Sequence, residues 1–309
     1  MPQCWELMSQ LTSTSHSDSK GPLTKGIILA GGAGTRLDPI TRVVCKQLLP
    51  VYDKPMIYYP LSVLMLGDIR DILIISTPED LPKFSELLGD GSQLGVDIQY
   101  AVQDEPRGLA EALIIGEDFL QGNRCCLVLG DNIFHGNLDF FRAALHENKG
   151  ATIFAKEVRD PERFGVVELD EKGNVLSIEE KPNSPKSPYA IPGLYIFDDS
   201  APARAKSQSP SGRGELEIAD LISSYFHDGS LRAKTLSRGV TWLDTGTPDS
   251  LLEAANYIGT VQKQNAFQVS CIEEIAYERG FIDAAALAAL AETHPNREYA
   301  DYLRTRAGC

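Results

Sequence analysis

Short apolar runs alternate with stretches of helical spacing through the first half of the chain. Gly26-Ile27-Ile28-Leu29-Ala30 is an apolar run that ends in glycines, and similar runs recur at Ile72–Ser76, Ile98–Val102 and Cys125–Leu129. Runs of this length, apolar on both faces, read as strands of a parallel sheet buried on both sides. Between them, 57–67, 79–88 and 108–119 carry apolar residues at the spacing of an amphipathic helix. The alternation predicts an α/β fold with a doubly wound, mostly parallel Rossmann-like sheet. Ahead of it, Ser9 to Thr24 is mostly Ser, Thr, Gly and Pro with little to bury, which predicts a disordered tail over 1–24.

After Gly150 the pattern changes. Ala151–Val158, Gly165–Leu169, Val175–Glu180 and Leu194–Phe197 follow in quick succession, separated by Pro- and Gly-containing turns. They predict a mixed sheet half bearing a second substrate. Glu215–Phe226 reads as a helix and Val240–Leu243 as one more strand, while helical spacing dominates from Pro248 onward. The expected organisation is a catalytic domain over 25–248 and a C-terminal helical appendage over 249–309.

The formal charge of −14, from 29 Lys and Arg against 43 Asp and Glu, argues against nucleic acid as a partner. A few cations converging in one cleft can still bind a nucleotide. Six cysteines at 4, 45, 125, 126, 271 and 309 form neither a CxxC pair nor a zinc spacing, so cytosolic thiols are expected. No apolar run approaches the roughly 18–20 residues that cross a bilayer, and residues 1–24 lack the layout of a signal peptide. A cytoplasmic protein without a membrane partner is expected.

Chemistry concentrates in Leu29-Ala-Gly-Gly-Ala-Gly-Thr-Arg-Leu-Asp-Pro39, followed by Lys46-Gln-Leu-Leu-Pro50 and Asp53-Lys-Pro-Met56. Glycines 31, 32 and 34 let backbone N–H groups approach phosphate oxygens, and Arg36 and Lys46 supply charge-assisted donors. No Gly-Lys-Ser/Thr closes the loop, which excludes a Walker A motif, and Leu37 replaces the third glycine of a dinucleotide fingerprint. A glycine turn without function competes for the loop taken alone. Asp131 and Asp244 each end an apolar run, the place where an open α/β sheet forms its ligand crevice, so both are metal-ligand candidates; a helix cap or turn aspartate is the alternative. By residues alone, Glu180-Lys181 reads as a charged pair on a solvated turn.

Together these segments closely resemble the sugar nucleotidylyltransferases. The similarity runs from about Lys25 to Glu274, through Gln103, Gly108-Leu-Ala110, Val128-Leu-Gly-Asp-Asn132, Glu180-Lys-Pro182, Arg213-Gly-Glu-Leu-Glu217 and Trp242-Leu-Asp-Thr-Gly246. Within that family it looks most like the short bacterial glucose-1-phosphate thymidylyltransferases. The resemblance implies transfer of a thymidylyl group from dTTP to glucose 1-phosphate, with Mg2+ held by Asp131 and Asp244. It places Arg36, Lys46 and Lys181 in catalysis. Leu29, Gly31, Gly32, Gly34, Thr35, Gln47, Gln103, Gly108 and Asp131 would hold the nucleotide, and Gly165, Glu180 and Lys181 the sugar phosphate. A homotetramer, and a second nucleotide-sugar site near Cys271-Ile-Glu-Glu274 for feedback, are implied in the same way.

Several residues depart from the family pattern. Phe164 stands where tyrosine is expected, Pro192 for threonine, Arg107 for aspartate and Glu111 for glutamine, which leaves base and sugar choice open. Cys45 precedes Lys46 where a small hydroxyl residue is expected, so it is either a reactive thiol beside the site or a packing residue. The five histidines fall in the tail, on predicted helices or in loops, without a ligand spacing. Three other readings stay open: a different nucleotide and sugar-1-phosphate pair, a non-catalytic homologue, and a dinucleotide-dependent oxidoreductase.

Overall fold

The structure is a computed structural model that describes residues 23–32 and 34–308. In chain order the first half contains β1 (Thr24–Leu29), β2 (Pro50–Val51), β3 (Lys54–Pro55), α1 (Tyr58–Leu66), β4 (Asp71–Ser76), α2 (Leu81–Leu88), β5 (Asp97–Val102), α3 (Glu111–Ile115), α4 (Glu117–Leu120), β6 (Arg124–Leu129), β7 (Asn132–His135) and α5 (Asp139–Glu147). The second half adds β8 (Ala151–Glu157), β9 (Gly165–Leu169), β10 (Val175–Glu180), β11 (Tyr189–Ala190), β12 (Leu194–Phe197), α6 (Ala201–Lys206), α7 (Ile218–His227), β13 (Leu231–Thr235) and β14 (Thr241–Asp244). Four helices follow: α8 (Pro248–Gln264), α9 (Ile272–Glu278), α10 (Ala284–Thr293) and α11 (Arg297–Ala307).

The main sheet runs β10-β9-β11-β8-β12-β6-β1-β4-β5, with β13 paired to β8. The four strands foreseen in the first half, β6, β1, β4 and β5, are neighbours and all parallel. From β12 outward the sheet is mixed, as the change of pattern after Gly150 predicts. Because β1 has β4 on one side and β6 on the other, the chain reverses its direction of travel across the sheet there, and a crevice opens beyond the strand ends. Leu29 pairs with Leu129, so the loops after β1 and β6 emerge side by side.

Helices cover both faces. One apolar cluster joins the sheet to α1, α2, α5 and α9 through residues such as Leu61, Phe84, Phe141 and Ile272; another joins the opposite face to α3, α4, α6 and α7 through Leu113, Leu120, Ala201 and Tyr225. A third packs α8 through Ala254 and Ile258 against Leu37, Leu49, Met56 and Ile133, so this helix braces the loops that flank the crevice. Thr247 starts α8 with a capping box: its Oγ1 accepts from the Ser250 N–H at 3.2 Å and its N–H donates to Ser250 Oγ at 3.0 Å, with Pro248 as the first helical residue.

Three expectations shift. The helix expected over 108–119 starts only at Glu111 and breaks at Gly116, because Gly108 has φ +106, outside the helical region. The helix expected from Glu215 starts at Ile218. Before it, Leu216 donates its N–H to the Arg107 carbonyl at 2.7 Å and accepts from Ala110 N–H at 3.1 Å, which commits that backbone to an extended pairing. Val240–Leu243 is displaced by one residue to Thr241–Asp244, and this strand pairs with β7 outside the main sheet. The first strand opens at Thr24 after an exposed Leu23, and residues 1–22 of the tail expected over 1–24 lie outside the described residues.

Candidate active site

The glycine loop leaves β1 and turns at Gly34, whose left-handed backbone (φ 56, ψ 28) feeds a short 3-10 turn over Thr35–Leu37. Leu37 is buried in the cluster under α8 and anchors the turn, while Thr41 Oγ1 donates to the Gly34 carbonyl at 2.9 Å. Anchoring Leu37 fixes the position of its neighbour Arg36. On the far side, Lys46 opens another 3-10 turn and is itself buried at 6% exposure, with its Nζ ion-paired to Asp131 Oδ2. Gly31, Gly32, Gly34, Thr35, Arg36, Lys46, Gln47, Asp131 and Gly246 enclose a cavity of about 220 Å³.

A larger cavity of about 680 Å³ adjoins it, and Thr35, Arg36 and Asp131 line both. Its far wall carries Gly165, Glu180 and Lys181. Glu180 stands opposite Gly165 in the β10–β9 pair, and a Cβ at Gly165 would lie 3.3 Å from Glu180 Oε2. The chain turns sharply after β10: Lys181 has φ 44 and donates its N–H to the Phe164 carbonyl at 3.0 Å. A lysine held in the left-handed region is strained, which is typical of ligand sites. Its Nζ lies 3.3 Å from Glu180 Oε1.

Asp131 lines both cavities and Asp244 the larger one. Asn132, next to Asp131, pairs with Asp244 in the β7–β14 register, and Thr245 Oγ1 donates to the Asp131 carbonyl at 2.8 Å. The Asp244 carboxyl titrates above its ordinary value, first because it is buried and next because Asp131 repels its charge; Lys46, Arg36 and Arg163 oppose the shift. Gly246 gives Arg36 its place, since a Cβ there would lie 2.7 Å from Arg36 Nη2 and 3.0 Å from Asp244 Oδ2. No cluster of three or more His, Cys, Asp or Glu among the described residues could hold a metal ion on its own. Two carboxylates nonetheless fit a hard divalent cation whose remaining positions are filled by water and substrate phosphates.

Not every expected residue lines the cavities. Leu29 is buried behind the loop, where its carbonyl accepts from Gly130 N–H at 2.9 Å. Gln103 reaches the glycine loop from behind: a Cβ at Gly31 would lie 2.9 Å from its Oε1. Gly108 has a steric role, because a Cβ there would lie 2.3 Å from the Leu216 carbonyl oxygen. Cys45 is a packing residue: it is buried beside Gln47 Oε1 at 2.9 Å, and burial pushes its thiol up to about 12. His135 lies on strand β7 rather than on a helix or in a loop, with Nδ1 2.9 Å from the Tyr257 hydroxyl.

Asn132, Arg163, Arg213 and Trp242 also line the larger cavity, though the sequence reading gives them no role. Asn132 accepts from Gly193 N–H at 3.0 Å and Trp242 Nε1 at 2.6 Å, and donates to Asp131 Oδ1 at 2.9 Å. Arg163 places Nη2 3.7 Å from Asp244 Oδ2, and the Phe164 ring meets Trp242 edge-on at 4.9 Å. Arg213 pairs with Glu217 at 2.8 Å at the entry to α7. Asn132, Arg213, Glu217 and Trp242 lie inside segments that carried the family resemblance, but their contacts join elements far apart in the chain.

The nucleotidyl transferase family model matches residues 25–260. A glucose-1-phosphate thymidylyltransferase of Neisseria meningitidis is 56% identical over 90% of this chain and 98% of its own length, and one of Xanthomonas campestris is 57% identical over 92% and 97%. Among solved structures, one assigned as a glucose-1-phosphate thymidylyltransferase from Bacillus anthracis superposes with a TM-score of 0.71 at 42% identity, covering 76% of this chain and 94% of the other. A UDP-glucose pyrophosphorylase bound to UDP-glucose shares the fold, with a TM-score of 0.69 at 22% identity over 79% of this chain and all of its own. With the family model matched over residues 25–260 and relatives 56–57% identical over most of both lengths, this chain belongs to the nucleotidyl transferase family.

Proposed function

We propose that the protein transfers a thymidylyl group from dTTP to glucose 1-phosphate, giving dTDP-glucose and pyrophosphate. The observation that carries this reading is the pair of adjoining cavities: one framed by the glycine loop, Arg36 and Lys46, the other by Gly165, Glu180, Lys181 and Asp244, with Asp131 lining both. In the reaction a phosphate oxygen of glucose 1-phosphate forms a bond to the α-phosphorus of dTTP, and the bond from that phosphorus to the bridging oxygen breaks in line to release pyrophosphate. The nucleophile is already an anion at neutral pH, so no general base is required. What remains is to align two anions and neutralise the charge between them.

Arg36 and Lys46 draw the triphosphate into the glycine loop and stabilise the departing pyrophosphate. Lys181 holds the sugar phosphate, while Glu180 accepts from sugar hydroxyls and Gly165 leaves room for the ring. Leu29, Gly31, Gly32, Gly34, Thr35, Gln47, Gln103, Gly108 and Asp131 form the nucleotide side. Enzymes of this family work with a divalent cation; we take it to be Mg2+, held by Asp131 and Asp244, where it would withdraw charge from the α-phosphate. The catalytic unit is assigned to 25–248, with 249–309 as a helical appendage.

The same reading makes the protein a cytoplasmic homotetramer; no helix among the described residues is long and apolar enough to cross a membrane. It also suggests a feedback site near Cys271–Glu274, which is tested by whether saturating dTDP-rhamnose lowers initial rates. The main test is pyrophosphate release with Mg2+ across dTTP, UTP, CTP, GTP and ATP, each with and without glucose 1-phosphate. Release with dTTP and glucose 1-phosphate is expected, and a stronger response to another pair would overturn the substrate assignment.

A further inference from the structure

Strands β7 and β14 form a two-stranded ladder outside the main sheet, with Asn132 opposite Asp244 at one end and His135 opposite Thr241 at the other. Side chains alternate between the two faces of such a ladder. One face carries Asn132, Trp242 and Asp244, which line the larger cavity. The other carries Ile133, His135, Thr241 and Leu243. Ile133 and Leu243 pack in one apolar cluster with Ala254 and Ile258 of α8, so this second face lies against that helix.

Tyr257 of α8 closes the end of the ladder away from the site. Its hydroxyl lies 2.9 Å from His135 Nδ1 and 2.9 Å from Thr241 Oγ1, the two residues of the last pair. A phenol has a single O–H, so it donates to one of these atoms and accepts from the other. Burial lowers the pKa of His135 from its ordinary value, which keeps the ring neutral at neutral pH and Nδ1 able to accept. The hydroxyl therefore donates to His135, and Thr241 donates to the hydroxyl. Phe267 backs the histidine, with the two rings stacked at 6.4 Å. Tyr257 follows Ala254 at helical spacing and precedes Ile258, so the apolar stripe that seats α8 on the ladder also aims this hydroxyl at its end.

An isolated pair of strands is only marginally stable in water, so a ladder this short takes its position from what holds it. At the site end, Trp242 Nε1 donates to Asn132 and Thr245 Oγ1 to the Asp131 carbonyl. At the other end the holding contact is Tyr257. With that end released, the ladder would be free to pivot on the Ile133 and Leu243 contact, and Asp244 would move relative to Asp131. We propose that Tyr257 is a positioning residue: by bridging the last pair of the β7–β14 ladder it sets where Asp244 stands relative to Asp131, and so the affinity of the site for a divalent cation. The inference rests on the reading of those aspartates as cation ligands made above. It extends the framework of the site into α8, outside the 25–248 catalytic unit.

The test is Mn2+ binding to the full-length protein without substrates, read from the EPR signal of the free ion, for the wild type, Tyr257→Phe, Thr241→Val and Thr241→Ser. Tyr257→Phe keeps the ring and removes the bridge. Its Kd for Mn2+ is expected to rise by about three- to tenfold, less than the roughly 10–100-fold seen for a group that touches a ligand directly. Thr241→Val should act in the same direction from the strand side and carries the test should Tyr257→Phe not fold. Thr241→Ser keeps the hydroxyl and should bind as the wild type does. In rate assays the half-saturating Mg2+ concentration of Tyr257→Phe should rise by the same factor, with KM for glucose 1-phosphate unchanged. Folded variants that lose urea midpoint but keep wild-type Mn2+ affinity would make the contact merely structural and overturn the inference. If the wild type binds no Mn2+, or Asp244→Asn binds it equally well, the cation-ligand reading fails first and this inference with it.

Discussion

Asn132 stands directly opposite Asp244 in the β7–β14 pair, and its side chain ties Asp131 to the sheet from the other side. Its Oδ1 takes two hydrogen bonds, from Gly193 N–H and Trp242 Nε1, which leaves its Nδ2 aimed at Asp131 Oδ1. One residue thus adjoins both candidate metal ligands, Asp131 through its amide and Asp244 through its strand pairing. Partners that orient ligating carboxylates typically matter by roughly 10–100-fold in metal affinity or activity.

Asn132→Asp keeps an acceptor for Gly193 and Trp242 but loses the donor to Asp131 and adds a like charge. A magnesium titration of the rate should show half-saturation at about tenfold or more higher concentration, with a smaller change in urea midpoint. Asn132→Ala also orphans the buried Gly193 N–H, so it should cost about 1–3 kcal/mol of stability in addition.

Lys181 offers a separable pair of effects, because its side chain faces the cavity while its backbone is strained at φ 44. Lys181→Met should raise KM for glucose 1-phosphate by roughly 10–100-fold, the worth of one hydrogen bond to a charged group, with a far smaller change in KM for dTTP. Lys181→Gly should show the same KM defect together with a higher melting temperature, since glycine adopts this backbone freely. Equal defects toward both substrates would remove Lys181 from the sugar-phosphate side.

Gly108 should not accept a side chain. Its φ of +106 and the 2.3 Å approach of the Leu216 carbonyl to any Cβ mean that Gly108→Ala must separate 107–110 from 215–217. A stability loss of about 1–3 kcal/mol is expected in chemical denaturation. Glu215 and Glu217 line the larger cavity, so KM for glucose 1-phosphate should rise as well.

Cys45 gives an alkaline signature. Its thiol shifts from an ordinary 9.0 to about 12 in the folded protein through burial, so the unfolded chain ionises first as pH rises. Its stabilising contribution is present below 9.0 and is lost progressively toward about 12. Urea midpoints should fall across that window with a limiting slope of about 1.4 kcal/mol per pH unit from this group, and Cys45→Ser should flatten the fall. Native protein should also leave Cys45, Cys125, Cys126 and Cys271, all buried, unlabelled by a thiol reagent until unfolded.

Much of this molecule was legible in the chain because its signals are local. The runs at β1, β4 and β6 are apolar on both faces, so strand type and parallel pairing follow from period and length, while β5 at the sheet edge keeps exposed Gln99 and Val102. The glycine loop with Arg36 and Lys46 is compact enough for its chemistry to be read from residue types. Helix ends were less legible: α3 and α7 start late because the backbone of Arg107 and Ala110 is bonded to that of Leu216, a contact between distant segments.

Only the tertiary structure decided that Asp131 and Asp244 line one cavity, that Cys45 packs rather than reacts, and that Arg107, Glu111 and Gln103 form one chain of hydrogen bonds. Each of these depends on which side chains the sheet order brings together and on how much water reaches them. The sequence by itself determined most of the strands and helices, the mostly parallel sheet and the glycine loop with two cations near it, since these follow from periodicity and residue type. The spacing of charges, and the direction in which an amide points, arise from long-range packing that no local pattern encodes.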